Sequence, residues 1–191
     1  RHPELGRQEF ATTQFVADRL VEAGLNPKSL PGGTGLTCDF GPEHAPRIAL
    51  RADMDALPMA ERTGASYTST VPGVAHACGH DAHTAMVLGA ASALASAPEL
   101  PMGVRLIFQP AEELMPGGAL DAIAAGALSG VSRIFALHCD PRLAVGRVAI
   151  TAGPITSAAD SLEITLHSPG GHTSRPHLTS DLVYGMGTVI T

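Results

Sequence analysis

Between Gln8 and Ala23 the apolar residues fall at helical spacing, with Phe10, Val16, Ala17, Leu20 and Val21 near one stripe and Gly24 following as a stop. Shorter apolar runs of strand length follow at Gly35–Phe40, Arg47–Leu50, Val104–Phe108, Arg133–Leu137 and Val145–Ile150. Asp81–Ala97 is alanine-rich and closed by Pro98, the pattern of a tightly packed core helix, and Gly117–Ala127 and Asp181–Ile190 also read as helices. From Ser161 to His167 the period changes: Leu162, Ile164 and Leu166 alternate with Ser161, Glu163 and Thr165, as in a strand with one solvated face.

Alternating strands and helices over residues 1–155 predict an α/β domain, with a mainly parallel mixed sheet and flanking helices. The one-faced strand belongs to a different kind of sheet. It places a domain change near Gly153-Pro154, with residues 156–191 opening a smaller α+β domain. The chain starts at Arg1 without Met and ends at Thr191 inside a helix-like pattern, so it reads as part of a longer protein.

Composition narrows the function classes. Apolar residues make up 45% of the 191 and charged residues only 16%, enough for a core and too few charges for long disorder. A net charge of -6, with Lys28 the single lysine, argues against nucleic-acid and anionic-membrane partners. There is no apolar stretch of spanning length and no signal-peptide pattern. Three widely spaced cysteines, Cys38, Cys78 and Cys139, fit a reducing cytoplasm better than a disulfide framework.

The chemistry concentrates in GVAHACGHDAHTA, residues 73–85, where His76, Cys78, His80, Asp81 and His83 crowd together. Thiol, imidazole and carboxylate are the ligands of a borderline-soft divalent metal. Other acids and a histidine follow predicted strands: Asp53 and Asp55 after Leu50, Glu112 and Glu113 after Phe108, and His138 after Leu137. Open parallel sheets bind ligands beyond the carboxyl ends of their strands, so these groups can meet at one edge. Local chemistry alone leaves other roles open. Asp53 and Asp55 also suit a turn before Pro58, Glu112 and Glu113 a helix start, and His138 a satisfied structural position. His76 and His83 read as supporting or solvent-facing, His44 and His167 as exposed, and Cys38 and Cys139 as core. The loop Ser168–His177, rich in glycine, carries His172 either as a ligand-facing group or as an exposed hairpin residue.

Together these motifs resemble the metallopeptidase and amidohydrolase family of aminoacylases and carboxypeptidase G-type enzymes, most of all its hippurate-hydrolase and auxin-conjugate-hydrolase branch. The matching segments are HPELG from His2, LRADMDALP from Leu50, HACGHDAH from His76, FQPAEE from Phe108, the strand end Ala136-Leu137-His138 and GGHTSRPH from Gly170, in order along essentially the whole chain. The resemblance implies a zinc-peptidase-like catalytic domain followed by a lid or dimerisation domain. It implies a centre of two divalent transition-metal ions (Zn, Mn, Ni or Co) held by Cys78, His80, Glu113 and His138, with Glu112 as general base. Asp53 matches the acid that orients a ligand, and His172 the lid histidine that reaches a partner subunit's site in dimeric relatives. Arg51 stands where the wider family has a ligand histidine. The implied reaction is hydrolysis of the amide bond of N-acyl amino acids or small peptide-like amides in the cytoplasm, with a homodimer through the lid as the assembly. A dipeptidase or a non-catalytic metal-binding fragment are the alternatives. The family draws one more histidine ligand from a C-terminal segment that this chain does not contain, so the chain by itself is expected to be inactive or weakly active.

Overall fold

The structure, a computed structural model, describes residues 1–155, 160 and 162–190. It divides into two compact units, Arg1–Arg142 and Leu143–Thr191, ahead of the change expected near Gly153-Pro154.

In the first unit, helix α1 (Phe10–Glu22) is followed by β1 (Pro27–Ser29), β2 (Leu36–Phe40), β3 (Arg47–Asp53), α2 (His80–Ala95), β4 (Gly103–Gln109), α3 (Gly118–Ala124) and β5 (Val131–Ala136). The five strands form one mixed sheet in the order β1-β2-β4-β3-β5. β4–β3 and β3–β5 pair in parallel, whereas β1–β2 and β2–β4 pair antiparallel. The parallel part contains the three strands whose ends carry the acids and His138. β1 has no periodic signature because it is three residues long and opens with Pro27, a residue confined to edges.

Helix α1 buries Thr13, Val16 and Leu20, spaced to face one side. Phe10 and Val21, expected on that stripe, are exposed. The helix closes with Gly24 donating to Val21 O and Leu25 to Leu20 O, the paired bonds of a Schellman stop. Val16 and Leu20 join Leu36, Cys38, Ala52, Met54, Val87, Ala91, Val104, Leu106 and Phe108 in the main core. A smaller cluster of Leu30, Ala49, Ile107, Ala122 and Ala127 involves α3. Strand β4, buried at all but one position, is the spine between them, and full burial of Phe108 alone stabilises by roughly 1.5–3 kcal/mol.

The buried stripe of α2 is His80, His83, Thr84, Val87 and Ala91. Its C-terminal part is core and its N-terminal part is polar, so one helix face serves both packing and chemistry. The polar end begins at Gly79, where φ is +87° and a Cβ would lie 3.2 Å from Cys139 Sγ; a larger residue meets both obstacles.

In the second unit the described residues form a 3-10 turn, Pro176–Leu178, and helix α4 (Leu182–Ile190). The strands expected at 145–150 and 161–167 are not formed: 145–150 and 162–167 are irregular, and Ser161 lies outside the described residues. Alternation names a face for a strand, but a strand also needs a neighbour to receive its backbone bonds. Among the described residues no helix is long and apolar enough to cross a membrane.

Candidate metal centre

Strand β3 ends by delivering Asp53, with Asp55 just beyond. Both carboxylates are almost wholly buried. Asp55 Oδ1 lies 3.2 Å from His80 Nδ1. The same carboxylate accepts the backbone N–H groups of Glu112 at 3.0 Å and Glu113 at 2.9 Å. Burial pushes the Asp55 carboxyl up, but the bonds from His80, Glu113 and Glu112 outweigh it and hold the group below its ordinary range.

Holding the His80 proton on Nδ1 turns Nε2 toward the other candidate ligands. That nitrogen is buried and has no hydrogen-bond partner. Around it stand Glu113 Oε1 at 3.7 Å, Asp53 Oδ2 at 3.7 Å and Glu112 Oε2 at 3.8 Å, all too far for a hydrogen bond. Glu113 Oε1 is likewise buried without a partner. Burial lowers the affinity of the His80 ring for a proton, and Asp55, Asp53 and Glu113 together raise it above the ordinary imidazole value.

Cys78 and His138 complete the group, with Sγ 3.4 Å from His138 Nε2. The possible ligand atoms of Cys78, His80 and His138 lie within 4.8 Å of one another, as do those of His80, Glu112 and Glu113. Burial, and next the charge of Glu113, push the Cys78 thiol up to about 11. A cation is what such a thiol needs to give up its proton at neutral pH.

A third cluster, Asp53, His80 and His83, fits a metal less well because the acceptors of Asp53 and His83 are already used. Arg51 donates to Asp53 Oδ2 at 2.6 Å and to Gln109 Oε1 at 3.0 and 2.7 Å. His83 accepts the Cys139 N–H at Nε2, 2.8 Å away, so its proton sits on Nδ1 and is donated to Asp53 Oδ1 at 2.7 Å. Burial pushes Asp53 up, yet Arg51 and His83 hold it below the ordinary carboxylate range. Two unpartnered buried ligand atoms, a thiol and an exposed imidazole converging beside an open carboxylate therefore suit divalent transition metals, and the residues present fit them.

The structure thus gathers Asp53, Cys78, His80, Glu112, Glu113 and His138, drawn from three strand ends and the start of α2. Arg51, which stands where the wider family has a ligand histidine, pairs with Asp53. The acid that orients His80 is Asp55 rather than Asp53, whose two oxygens serve Arg51 and His83. His83, read as supporting or solvent-facing, is buried and ties β3 to the segment after β5; its place three residues after His80 put it on the same helix face. Cys139, expected in the core, is exposed. His172 belongs to the second unit, where its Nδ1 accepts from the Ser174 N–H at 3.2 Å and lies 2.8 Å from Ser174 Oγ. A cavity of about 730 Å³ opens beside the loop leading to Cys78, lined among others by Met59, Arg62, Tyr67 and His76.

A buried dyad of histidine and carboxylate and a pair of glutamates meet a thiol where the parallel strands end, a donor set that suits divalent metals. Residues 49–186 match the Peptidase family M20/M25/M40, and the chain belongs to that family. It is similar to N-acetyl-L-cysteine deacetylase of Bacillus subtilis, with 41% identity over 100% of this chain and 46% of that protein. A Rhodococcus jostii protein named as a glutamate–cysteine ligase shares 61% identity over 100% of this chain, which covers 24% of that longer protein. Among solved structures, a dinuclear metal-binding peptidase of the M20 family from Bacillus subtilis superposes with a TM-score of 0.70 at 46% identity, over 74% of this chain and 40% of that one. The chain spans about half or less of the length of these relatives.

Proposed function

We propose that this chain carries most of the catalytic centre of a metal-dependent amidohydrolase that cleaves the amide bond of N-acyl amino acids or related small conjugates. The observation that carries the reading is the convergence of two unpartnered buried ligand atoms, His80 Nε2 and Glu113 Oε1, with Cys78 and His138, while Glu112 stands alongside with a free carboxylate. Cys78, His80, Glu113 and His138 would hold two ions of Zn, Mn, Ni or Co, which when bound polarise the amide carbonyl and acidify the attacking water.

Glu112 is the general base. Burial, and next the neighbouring Glu113 charge, raise its proton affinity above that of an ordinary carboxylate, which suits a group that must take a proton and return it. Its carboxylate accepts the proton from the water that attacks the carbonyl carbon, and delivers it to the nitrogen of the departing amine as the C–N bond breaks. Asp55 keeps the His80 ring and the Glu112 and Glu113 amides in place. Asp53, clamped by Arg51 and His83, supports the wall facing His80. Residues 1–155 would form the catalytic domain and 156–191 the start of a lid and dimerisation domain, from which His172 would reach the developing oxyanion of a neighbouring copy. The cavity lined by Met59, Arg62, Tyr67 and His76 has the size of a small-molecule site, although none of the candidate metal ligands lines it. We place the enzyme in the cytoplasm, consistent with its unpaired cysteines.

The test is elemental analysis of the complete polypeptide together with a screen of N-acetyl and N-benzoyl amino acids and of dipeptides. Two bound metals and metal-dependent release of free amino acid from the N-acyl series support the reading. A metal-loaded protein that cleaves none of them overturns it, and preference for dipeptides with free amino termini moves the assignment to a dipeptidase.

A further inference from the structure

One buried carboxyl has no part in the reaction described above. Glu9 precedes α1 and is 0% exposed, and its Oε1 accepts the Ala111 N–H at 2.7 Å. Oε2 is buried and unpartnered. A carboxylate at a helix start ordinarily caps the first turn. Here Glu4 does that work, accepting from Ala11 N at 3.1 Å, Thr12 N at 2.7 Å and Thr12 Oγ1 at 2.8 Å. Glu9 is thereby free to turn inward.

Its partner is an unusual residue. Ala111 is fully buried and has φ +49°, a left-handed conformation that residues with a Cβ avoid. Both of its peptide groups are fixed, the N–H by Glu9 and the C=O by the Gly118 N–H at 2.9 Å. The next two amides, Glu112 and Glu113, donate to Asp55. Three consecutive N–H groups are therefore received by two buried carboxylates, one on each side of the left-handed residue. Gly118 has no room for a side chain, since a Cβ would collide with the Pro110 carbonyl oxygen, so this turn is closed from its far side as well.

We propose that Glu9 is a positioning residue for the site: it holds Ala111 in the left-handed turn from which Glu112 and Glu113 enter the metal centre. The inference rests on the roles given above to Glu112 and Glu113. Glu9→Leu removes the acceptor, Glu9→Gln keeps an oxygen in its place, and Glu9→Asp draws the oxygen back by one methylene. In the complete polypeptide, Glu9→Leu is expected to lower kcat about 100-fold with KM little changed, the scale set by displacing a catalytic group by an ångström. Titration with Co²⁺, followed by its visible absorption, is expected to show about 10-fold weaker binding, as for loss of a group supporting a ligand. Glu9→Gln should stay near wild type. Ala111→Gly in the Glu9→Leu background should recover part of both losses, because glycine takes φ +49° unaided. Wild-type kcat and Co²⁺ affinity in a folded Glu9→Leu protein overturn the proposal, as does a Glu9→Gln protein as impaired as Glu9→Leu. If Glu9→Leu does not fold, Glu9→Asp decides, with hydrogen exchange read at the Ala111 amide. Faster exchange with reduced kcat and Co²⁺ affinity supports the role; faster exchange with both unchanged refutes it. A wild-type protein that binds Co²⁺ but hydrolyses no amide defeats the proposed function alone, since the Co²⁺ and exchange readouts still judge Glu9.

Discussion

At the scale of single residues, the site separates groups that react from groups that hold. Glu112→Gln should lower amide hydrolysis about 10²–10⁴-fold, the range for losing a general base, while metal content by elemental analysis stays at the wild-type level. Cys78→Ser should do the reverse first, weakening metal binding in a chelator competition before any effect at saturating metal; full affinity would remove Cys78 from the ligand set. Glu9 gives a pH signature. Burial raises its folded pKa above the unfolded value of 4.5, so the folded state binds the extra proton between those values. Stability from this group is then fully present below pH 4.5 and is lost as pH rises through the folded pKa. Urea unfolding of wild type and Glu9→Gln across pH 4–8 should show the difference moving in favour of glutamine as pH rises. A pH-independent difference would show that Glu9 keeps its ordinary affinity for protons.

At the scale of elements, the chemistry was legible because it falls where the strands stop. LRADMD, QPAEE and ALH each place polar groups directly after an apolar run, and the resulting strands β3, β4 and β5 are the parallel part of the sheet. The sequence did not separate Asp53 from Asp55. They lie two positions apart on the same side of an extended chain, and only the packing of α2 decides which one meets His80 Nδ1 and which meets His83. Nor could periodicity show Glu9, because its partner is 102 residues away. Among the described residues 145–150 and 162–167 are irregular: the alternation read at 161–167 names a face but supplies no pairing strand. Another long-range contact fixes the turn after α3: Arg105 on β4 donates to the carbonyls of Gly126, Ala127 and Ser129 at 3.0–3.1 Å and grips Asp39 with two bonds of 2.6 Å. Arg105→Ala should cost about 1.5–3 kcal/mol in urea unfolding, the range for hydrogen bonds to a charged group. Asp39→Asn should cost less, because Asp39 is more than a third exposed and its ion pair is screened by solvent.

At the scale of the whole molecule, the sheet ends on β5, where Ile134, Phe135 and Leu137 nearby are each about half exposed (50%, 52% and 52%). A flat apolar edge offers unpaired backbone groups to a second chain. The chain produced as this segment should therefore self-associate in sedimentation experiments, and Ile134→Lys should reduce that association; equal behaviour of the two would show that another surface drives it. Asp55 has a consequence of its own at this scale. Its donors come from segments 25, 57 and 58 residues downstream, one at the start of α2 and two just beyond the end of β4. A half-assembled chain that has docked only one of them leaves a carboxylate in the interior short of donors, at a cost of about 1–3 kcal/mol for each group stranded. Partial structures are thus held above both the unfolded and the finished protein, and the domain is driven to close in a single cooperative step, with the centre's geometry complete only when the last strand has docked.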